Sequence, residues 1–537
     1  MNSFTNQAHP YPVNRNVSYA SNGMVATSQP LASQAGLDIL KKGGNAIDAA
    51  IATAACLTVV EPTSNGIGGD AFALVWTKGK LHGLNGSGRS PANISIDDVK
   101  NAGYGEMPKY GWMPVTVPGA PGAWAELSER FGKLPLSEVL QPAITYAEEG
   151  FPISPTLGKF WKKAYQNFSS CLTEESFNYW FETFAPKGRA PKTGEIWSSL
   201  DHAETLRSIA ETNAESFYRG ELADRIVNFS KETGGYLTSE DLSEYKPEWV
   251  DPIKVNYRGY DVWEIPPNGQ GIIALQALNI LKGFTFTEKE SVDTYHKQME
   301  AVKLAFADGQ KHVTEESHMR YSANDILSDE YGDIRRNQIG EAALQPEAGE
   351  PSMSGTVYLA AADNEGNMVS FIQSNYMGFG SGLVVPGTGI ALQNRGHGFS
   401  LDSSHVNALK GGKRTYHTII PGFMTKGKDP VGPFGVMGGF MQPQGHVQVV
   451  MNMLDFDLNP QAALDAPRWQ WMKDKKIEVE NRFPHHIAQS LAEKGHEIQI
   501  QLEPNTFGRG QIILRDPDSG VLIGGTESRT DGAVACW

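Results

Sequence analysis

A Gly-Thr pair in the second half of the chain could carry out nucleophilic chemistry. Gly355-Thr356 follows a stretch with little periodicity, Leu344 to Ser354, which is typical of an exposed connector, and Thr356 opens a predicted β-strand. A threonine hydroxyl attacks an amide only if a base takes its proton. Cutting the chain before Thr356 would place an α-amine, with a pKa of about 7.7–8.0, beside that hydroxyl. The pair therefore predicts a nucleophile that makes its own base, with a plain strand threonine as the alternative.

A second glycine pair could stabilise negative charge. Gly438-Gly439 stands between an apolar stretch, Phe434 to Val436, and a predicted helix over His446 to Leu454. Backbone N–H groups between a strand end and a helix start can point at a developing oxyanion. An ordinary turn is the alternative for this pair.

A third glycine pattern has the form G-x-G-x-x-A. Gly269 to Ala274 follows a strand-like segment, Val262 to Ile265, and precedes an apolar helical stretch, as a dinucleotide-binding turn would. Pro266-Pro267 interrupts the join, and no acidic ribose ligand clearly follows. We therefore interpret the pattern as a structural helix start, and a non-catalytic nucleotide-binding protein is kept as a remote alternative. The common metal-protease, P-loop, nucleophile-elbow and EF-hand motifs are missing, so the sequence predicts no metal ion.

Apolar spacing predicts the elements that would position these residues. Gly43-Gly44 is predicted to end a first helix, and Asn45 to cap a second. A glycine run, Asn65 to Asp70, then leads into predicted strands over Ala71 to Trp76 and Leu81 to Asn85. Further along, a strand, a turn and a strand are predicted over Thr356 to Ala362, Asp363 to Asn367 and Met368 to Ser374.

Two apolar groupings are predicted to be packing. Thr287 and Glu290 have capping-box spacing ahead of a helix with an apolar stripe, formed by Val292, Tyr295, Met299, Val302 and Phe306. Aromatic residues are also concentrated between positions 155 and 200, where helical core is the first interpretation and an apolar wall for a bulky substrate is the alternative. They are Phe160, Trp161, Tyr165, Phe168, Phe177, Tyr179, Trp180, Phe181 and Phe184.

Composition narrows the class of protein. The 537 residues carry a net charge of −15, which argues against a nucleic-acid-binding surface. With 40% hydrophobic and 20% charged residues, the chain is typical of a soluble globular protein. No stretch reaches the roughly 18 apolar residues of a membrane helix. The polar N-terminus lacks a signal-peptide pattern, and the three cysteines are far apart, so we expect a cytoplasmic enzyme without a disulfide framework.

Blocks along nearly the whole chain resemble the γ-glutamyltransferase family (γ-glutamyltranspeptidase, glutathione hydrolase), in its acylase-like cytoplasmic branch. Many separate blocks in the right order make the resemblance specific. They are Gly43 to Ala50, Glu61-Pro62, Gly66 to Gly69, Val117 to Gly119, Gly235 to Leu242, Leu304 to Asp308, Thr356 to Asn367, Gly438-Gly439, Asp465 to Arg468 and Asp531-Gly532.

The resemblance implies a fold and a mode of action. The family has the N-terminal-nucleophile hydrolase fold, an α+β architecture arranged as a four-layer αββα sandwich. A member cuts itself before a threonine, which here gives a large subunit of residues 1–355 and a small subunit of residues 356–537, together one αββα unit. Thr356 would form an acyl-enzyme with an amide substrate and pass the acyl group to water or to an amine. No cofactor is implied, and the expected partners are a small amide or peptide substrate and the two pieces of one precursor.

The resemblance also implies a set of site residues. Thr356, Ser374, Gly438 and Gly439 match the family's nucleophile, its hydroxyl neighbour and its oxyanion pair. Arg89 matches the arginine that holds the substrate carboxylate, and the predicted substrate-binding set adds Tyr376, Asn394, Arg395 and His417.

Five positions depart from the family pattern. Tyr376 and Arg395 replace an asparagine and a glutamine, His417-Thr418 replaces a serine pair, and Gly398 replaces the acid that binds an α-amine. These changes resemble cephalosporin acylases, which take glutaryl-like acyl groups. The predicted activity is hydrolysis of γ-glutamyl amides, with glutaryl-type amides as the alternative.

Overall fold

Two seven-stranded sheets form the centre of the structure, a computed structural model that describes residue 11 and residues 15–346 and 355–537. The exposed connector predicted over Leu344 to Ser354 falls mostly on residues 347–354, which lie outside the described residues. The strands of the described residues are β1 (Ser18–Ala20), β2 (Gly23–Thr27), β3 (Asp70–Thr77), β4 (Lys80–Gly86), β5 (Phe151–Pro152), β6 (Ile196–Trp197), β7 (Glu248–Val250), β8 (Ile253–Tyr257), β9 (Tyr260–Glu264), β10 (Gly355–Asp363), β11 (Met368–Tyr376), β12 (Gly422–Lys426), β13 (Asp429–Met437), β14 (Trp469–Lys473), β15 (Lys476–Glu480), β16 (Glu497–Gln501), β17 (Arg509–Arg515), β18 (Leu522–Thr526) and β19 (Ala533–Cys536).

Helices cover the outer faces of both sheets. In the same residues they are α1 (Pro30–Lys41), α2 (Ala46–Val60), α3 (Ile96–Asn101), α4 (Ala120–Phe131), α5 (Leu136–Val139), α6 (Gln141–Glu149), α7 (Pro155–Cys171), α8 (Asn178–Phe184), α9 (Leu200–Thr212), α10 (Glu215–Arg219), α11 (Glu221–Glu232), α12 (Ser239–Ser243), α13 (Gly271–Leu281), α14 (Val292–His312), α15 (Ala323–Ile326), α16 (Asp329–Arg336), α17 (Met441–Leu454), α18 (Pro460–Asp465) and α19 (His485–Glu493). Among the residues described, no helix combines the length and the apolar character needed to cross a membrane.

The layers follow from the two-residue period of the strands. The first sheet has the order β19-β2-β10-β11-β3-β4-β7, and the second has the order β1-β18-β17-β13-β12-β9-β8. In β10, Val357, Leu359 and Ala361 belong to the core formed with the helices around α2, whereas Tyr358 and Ala360 belong to the core between the sheets. The second sheet buries its other face against α13, α17 and α18. The predicted four-layer αββα sandwich is therefore confirmed.

The predicted hairpin at Thr356 is confirmed. Strands β10 and β11 pair antiparallel through the turn at 364–367, with an irregularity between Gly355 and Val357. Strand β11 pairs on its other side with β3, where Ser374 lies opposite Asp70. The start of β10, the end of β11 and the start of β3 therefore meet at one edge of the first sheet.

The predicted N-terminal cap is confirmed for α2, and the predicted cap of α14 was wrong. The Asn45 side chain accepts hydrogen bonds from the first turn of α2, and the Asp48 carboxylate accepts one from the Asn45 backbone N–H. By contrast, α14 begins at Val292, and the Ser291 hydroxyl accepts from the Thr294 N–H at 3.1 Å. The capping box at Thr287 and Glu290 was wrong because a serine nearer to the apolar stripe makes that bond. The stripe itself packs in the core as predicted.

Apart from Phe160, which lies against the Arg509 guanidinium, the aromatic residues singled out between positions 155 and 200 form helical core. Trp161, Phe168, Trp180 and Phe184 are buried, and their rings lie 4.6–6.3 Å from the ring of Phe379. Edge-to-face contacts of this kind stabilise a packed interior. The first interpretation of this region is confirmed.

Candidate active site

Thr356 lies at the start of β10, on the face turned toward the second sheet, and is fully buried. Its hydroxyl donates a hydrogen bond to Ser374 Oγ at 3.2 Å. Ser374 Oγ also accepts from the Tyr376 backbone N–H at 2.8 Å. The structure thus brings the predicted nucleophile and its predicted hydroxyl neighbour together, with a backbone donor that fixes the serine oxygen.

Strand β11 ends at Tyr376 in an unusual backbone conformation. Tyr376 has a φ of 74°, a left-handed value that costs a non-glycine residue on the order of 1–3 kcal/mol. Its ring lies under the Arg395 guanidinium, whose central carbon is 4.3 Å from the ring centroid. The turn therefore presents the Tyr376 backbone to Ser374 and its ring to Arg395.

Arg395 is a buried cation with unused hydrogen-bonding capacity. Its side chain donates from Nη1 to Thr418 Oγ1 at 2.8 Å, and the residue is 1% exposed. Within the described part of the chain, its Nε and Nη2 groups have no hydrogen-bond partner. Burial lowers the pKa of Arg395 to about 10, so the guanidinium stays charged at neutral pH.

His417 and Asp70 form a buried pair. His417 Nε2 lies 3.0 Å from Asp70 Oδ2, and His417 Nδ1 accepts from the Ile419 N–H at 3.3 Å, which assigns the ring proton to Nε2. Asp70 Oδ1 accepts from Gln393 Nε2 at 2.8 Å and from the Gly88 N–H at 3.1 Å. Burial lowers the pKa of His417 well below its usual value and raises that of Asp70 to about 7. The imidazole is therefore neutral at neutral pH.

Asn394 is fully buried, and its amide is used within the protein. Its oxygen accepts from the Met377 N–H at 3.1 Å, and its nitrogen donates to the Lys109 carbonyl at 2.9 Å. These bonds hold the chain after β11 and set the position of the neighbouring Arg395. A direct contact between Asn394 and a substrate stays a prediction.

Arg89 lies in a network of ion pairs. Its Nη1 is 2.5 Å from Glu315 Oε1 and donates to the Gly412 carbonyl at 3.0 Å, and its Nη2 is 3.6 Å from Glu248. Its side chain is 42% exposed. The structure thus places Arg89 at the surface with its charge already balanced.

A cavity of about 570 Å³ opens beside these ion pairs. Its lining includes Asn85, Arg89, Glu248, Asn268, Glu315 and Arg414. The Asn268 carbonyl accepts from the His417 backbone N–H at 2.9 Å, and its amide donates to Ser87 Oγ and to the Thr415 carbonyl. One wall of the cavity is therefore bonded to the segment that carries His417.

Gly438 and Gly439 form the predicted strand-to-helix turn. Strand β13 ends at Met437, and α17 begins at Met441, five residues before the predicted start. The φ values of 140° and 62° explain the glycines, since other residues rarely adopt them. Gly435 packs on the ring of Tyr358, so β13 crosses β10 two residues after Thr356. The oxyanion role of the glycine pair stays a prediction.

The G-x-G-x-x-A turn holds the site together. Gln270 precedes α13 and donates from its backbone to the His417 carbonyl at 2.9 Å. Its amide nitrogen donates to the carbonyls of Thr418 at 2.6 Å and Gly439 at 2.8 Å. The helix that follows is buried throughout, as a structural helix start requires.

The glycine run before β3 allows a close approach to β11. A Cβ on Gly69 would lie 2.6 Å from the Ser374 carbonyl oxygen and 2.5 Å from the Asn375 amide oxygen. A Cβ on Gly68 would lie 2.3 Å from the Ala391 carbonyl oxygen. Only glycine fits where these backbones touch, so the run fixes the end of β11 and with it Ser374.

Sequence reasoning missed Asp70, Gln393 and Gln270. Asp70 ended the predicted glycine run, and a carboxylate entering a buried strand was a usable signal. The two glutamines gave no usable signal, because their hydrogen-bond partners are far away in the sequence.

One cluster of possible metal ligands lies in the helical layer of the second sheet. Ligand atoms of His296, Glu300 and His496 lie within 4.8 Å of one another, and all three residues are buried. Lys303 Nζ lies 2.7 Å from Glu300 Oε1 and 3.4 Å from His496 Nδ1, and His296 bonds His496 and the Gly340 carbonyl. The lysine supplies the positive charge that a metal would bring, so these residues do not fit a metal site.

Two of the resembling blocks stabilise the fold. Asp531 accepts from the N–H groups of Thr156 and Leu157 at 2.9 and 3.3 Å and thereby caps α7. Arg468 forms a buried ion pair of 2.7 Å with Glu527. These contacts hold helices and strands of the fold together.

The chain is similar to known proteins along nearly its whole length. Residues 32–537 match the family model described as Gamma-glutamyltranspeptidase. A glutathione hydrolase-like YwrD proenzyme of Bacillus subtilis is 38% identical over 95% of this chain and 98% of that protein. An oxamate amidohydrolase proenzyme of Klebsiella pneumoniae is 32% identical over 96% of this chain and 98% of that protein. The crystal structure of a cephalosporin acylase from Bacillus halodurans is 68% identical and superposes with a TM-score of 0.96 over 99% of each chain.

Proposed function

Because the chain belongs to the gamma-glutamyltranspeptidase family, we propose that it is a self-cleaving amidohydrolase and acyltransferase whose nucleophile is Thr356. The precursor would separate into a large subunit, residues 1–355, and a small subunit, residues 356–537. The names of its relatives support a precursor, since both curated proteins above are called proenzymes. The observation that carries the proposal is the hydrogen bond from Thr356 to Ser374 at the point where the chain would be cut.

Self-cleavage would begin with the Thr356 hydroxyl. Its oxygen attacks the carbonyl carbon of Gly355, the peptide nitrogen leaves and takes the hydroxyl proton, and an ester links Gly355 to Thr356. Water then hydrolyses the ester and releases a Gly355 carboxylate. The products are the hydroxyl and the free α-amine of Thr356, which supply the nucleophile and its base.

Turnover would repeat the attack on a bound amide. The α-amine takes the hydroxyl proton while the oxygen bonds to the amide carbonyl carbon. Backbone N–H groups of Gly438 and Gly439 would stabilise the resulting oxyanion. The amine leaves with the proton, and water or another amine then takes the acyl group from the ester. Neither half of this reaction calls for a metal ion or an organic cofactor.

The acyl group has two candidate classes. γ-Glutamyl amides carry an α-carboxylate and an α-ammonium, whereas glutaryl-type amides carry the carboxylate alone. The name glutathione hydrolase-like of one relative points to the first class, and the name cephalosporin acylase of a solved structure belongs with the second. A specific observation favours the second class, because Gly398 has no side chain to bind an ammonium group and Arg395 has unused donors.

Two expectations about the surroundings of the protein stay predictions. They are a cytoplasmic location and the absence of nucleic-acid and membrane partners. The net charge of −15 supports the absence of a nucleic-acid partner, because a negative protein surface repels the phosphate backbone. Cell fractionation and a gel-shift measurement with duplex DNA would test them.

Substitution of the nucleophile tests the proposed function. Thr356→Ala should stay a single chain and hydrolyse neither γ-glutamyl- nor glutaryl-p-nitroanilide, because the variant lacks the attacking oxygen. Thr356→Ser keeps that oxygen and should be cut and active. Thr145→Ala, at a partly exposed position of α6, is the matched control and should behave as the parent. Cutting and turnover by Thr356→Ala would refute the proposal.

A further inference from the structure

One glutamine side chain connects two segments of the candidate site. Gln270 lies in the proposed large subunit, immediately before α13, and is fully buried. Its Nε2 group donates to the carbonyl of Thr418 at 2.6 Å and to the carbonyl of Gly439 at 2.8 Å. A side-chain amide has two N–H donors, so both are used here. Gln270 therefore ties the segment that carries His417 to the Gly438-Gly439 turn.

The surroundings of Gln270 fix the orientation of its amide. The Tyr416 hydroxyl donates to Gln270 Oε1 at 2.8 Å, which leaves the NH2 group directed at the two carbonyls. The Gln270 backbone N–H donates to the His417 carbonyl at 2.9 Å. A Cβ on Gly271 would lie 2.6 Å from Glu264 Cβ, so glycine lets the turn pack closely on the end of β9. The amide is thus held both by its own oxygen and by the backbone.

The bond to Gly439 acts on the turn that carries the predicted oxyanion donors. Gly438 and Gly439 have φ values of 140° and 62°, and a glycine pair has many other backbone conformations open to it. Contacts from outside the pair must therefore hold its N–H groups in one direction. Gln270 supplies one such contact, and the stacking of the Tyr416 ring on that of Phe440, with centroids 6.1 Å apart, supplies another.

An oxyanion site works only if its donors are already in place. Preorganised N–H groups stabilise the charge on the carbonyl oxygen without turning during the reaction, and a displacement of about 1 Å can cost about 100-fold in rate. Loss of the Gln270 amide would remove a donor from the Thr418 and Gly439 carbonyls and let the turn shift. The effect should therefore fall on the chemical step and not on substrate binding.

We propose that Gln270 is a positioning residue that holds the N–H groups of Gly438 and Gly439 toward the oxyanion. The inference rests on the proposed function of Thr356. It adds a side chain of the large subunit on which the oxyanion turn of the small subunit depends. It also gives the G-x-G-x-x-A pattern a role in the reaction, through the residue between its two glycines.

Removal of the amide tests the inference on the full-length, self-cleaved protein. Gln270→Met keeps the length of the side chain without its donors. With whichever of γ-glutamyl- and glutaryl-p-nitroanilide the parent hydrolyses faster, kcat should fall by about 10- to 100-fold and KM should change by less than about threefold. A parent-like kcat would overturn the inference.

Gln448→Met is the matched control. Gln448 lies on α17, the helix that follows the turn, and it is also buried. Its amide donates to the carbonyls of Gln444 at 3.1 Å and Trp469 at 2.9 Å, so the substitution removes the same kind of bonds away from the turn. This variant should keep the kcat of the parent, and a loss equal to that of Gln270→Met would overturn the inference.

Butylboronic acid separates a role in positioning from a general loss of structure. The Thr356 oxygen bonds to boron, the hydroxyl proton passes to the α-amine, and the tetrahedral boronate carries its negative charge where the oxyanion would form. Its inhibition constant should rise in Gln270→Met by about the factor by which kcat falls. Inhibition by the planar product acid, glutarate or L-glutamate, should change by less than about threefold. Equal weakening of both inhibitors would overturn the inference.

A milder variant decides if Gln270→Met fails to mature. Tyr416→Phe removes only the hydroxyl that donates to Gln270 Oε1, and kcat and boronate affinity should fall together by about threefold or more. Parent-like values of both would overturn the inference. The proposed function is judged on the parent. An uncut and inactive parent refutes the function and the inference with it, whereas a cut and active parent with a parent-like Gln270→Met refutes only the role of Gln270.

Discussion

At the scale of single residues, partners decide what each charged group near the site can do. Arg89 and Arg395 have the same side chain, but Arg89 has two glutamate partners and Arg395 has one threonine. Asp70 accepts from three donors, and burial lowers the pKa of its partner His417, which remains neutral. Whether one of these charged groups can bind a substrate therefore depends more on the hydrogen bonds that it can still form than on its residue type.

The buried carboxyl of Asp70 predicts a pH-dependence of stability. Its pKa is about 7 in the folded protein and about 3.9 in an unfolded chain, so the folded state binds the extra proton between these values. The contribution to stability is present below about pH 4 and is lost as the pH rises through about 7. Asp70→Asn cannot titrate and should abolish this contribution.

The free energy of unfolding is best measured in the Thr356→Ala variant, because we propose that this variant stays a single uncut chain. When the pH rises from 5 to 7.5, the free energy of unfolding of the parent should decrease by about 2 kcal/mol more than that of Asp70→Asn. Asp38→Asn, at an exposed position of α1, is the control and should follow the parent. The same pH-dependence in parent and Asp70→Asn would show that Asp70 does not titrate in this range.

At the scale of elements, the contact between β3 and β11 positions the nucleophile. The glycine run lets the start of β3 lie against Ser374 and Asn375, where a methyl group has no room. Thr356, Ser374 and Asp70 come from three neighbouring strands of one sheet. A small displacement of β11 would therefore lengthen the bond from Thr356 to Ser374.

Gly69→Ala tests this contact. The added methyl group would lie 2.5 Å from Asn375 Oδ1, and we expect overpacking to cost about 1–3 kcal/mol and to slow self-cleavage. Gly105→Ala is the matched control, because its Cβ would meet nothing within 4 Å and its φ is not positive. Thermal unfolding and the rate of cutting measure both effects, and parent-like behaviour of Gly69→Ala would contradict the assigned role of the glycine run.

The sequence predicted elements whose determinants are local. The hairpin at Thr356, the cap at Asn45 and the turn at Gly438-Gly439 depend on residues within a few positions of each other, and all three are found. The pair of His417 and Asp70 joins residues 347 positions apart, so no local pattern could reveal it. The partners of Arg89 and the bridging hydrogen bonds of the Gln270 amide could not be predicted for the same reason. The predicted cap of α14 was wrong because two candidates, Thr287 and Ser291, stand close together in the sequence and packing selects between them.

At the scale of the whole molecule, the proposed cut would separate chains but leave both sheets intact. In the first sheet, β10 and β11 of the small subunit lie between β2 and β3 of the large subunit. In the second sheet, β1, β8 and β9 of the large subunit flank four strands of the small one. Each subunit alone would expose the interior edges of both sheets, so the two pieces should remain bound after cleavage.

Mass spectrometry of one active preparation decides whether the chain is cut before Thr356. Under native conditions the protein should keep its two pieces in one particle. Under denaturing conditions it should give fragments of 355 and 182 residues, with Thr356 at the start of the smaller one. An active preparation that contains only the 537-residue chain, or that is cut at another bond, would contradict the claim that Thr356 and its own α-amine carry the chemistry.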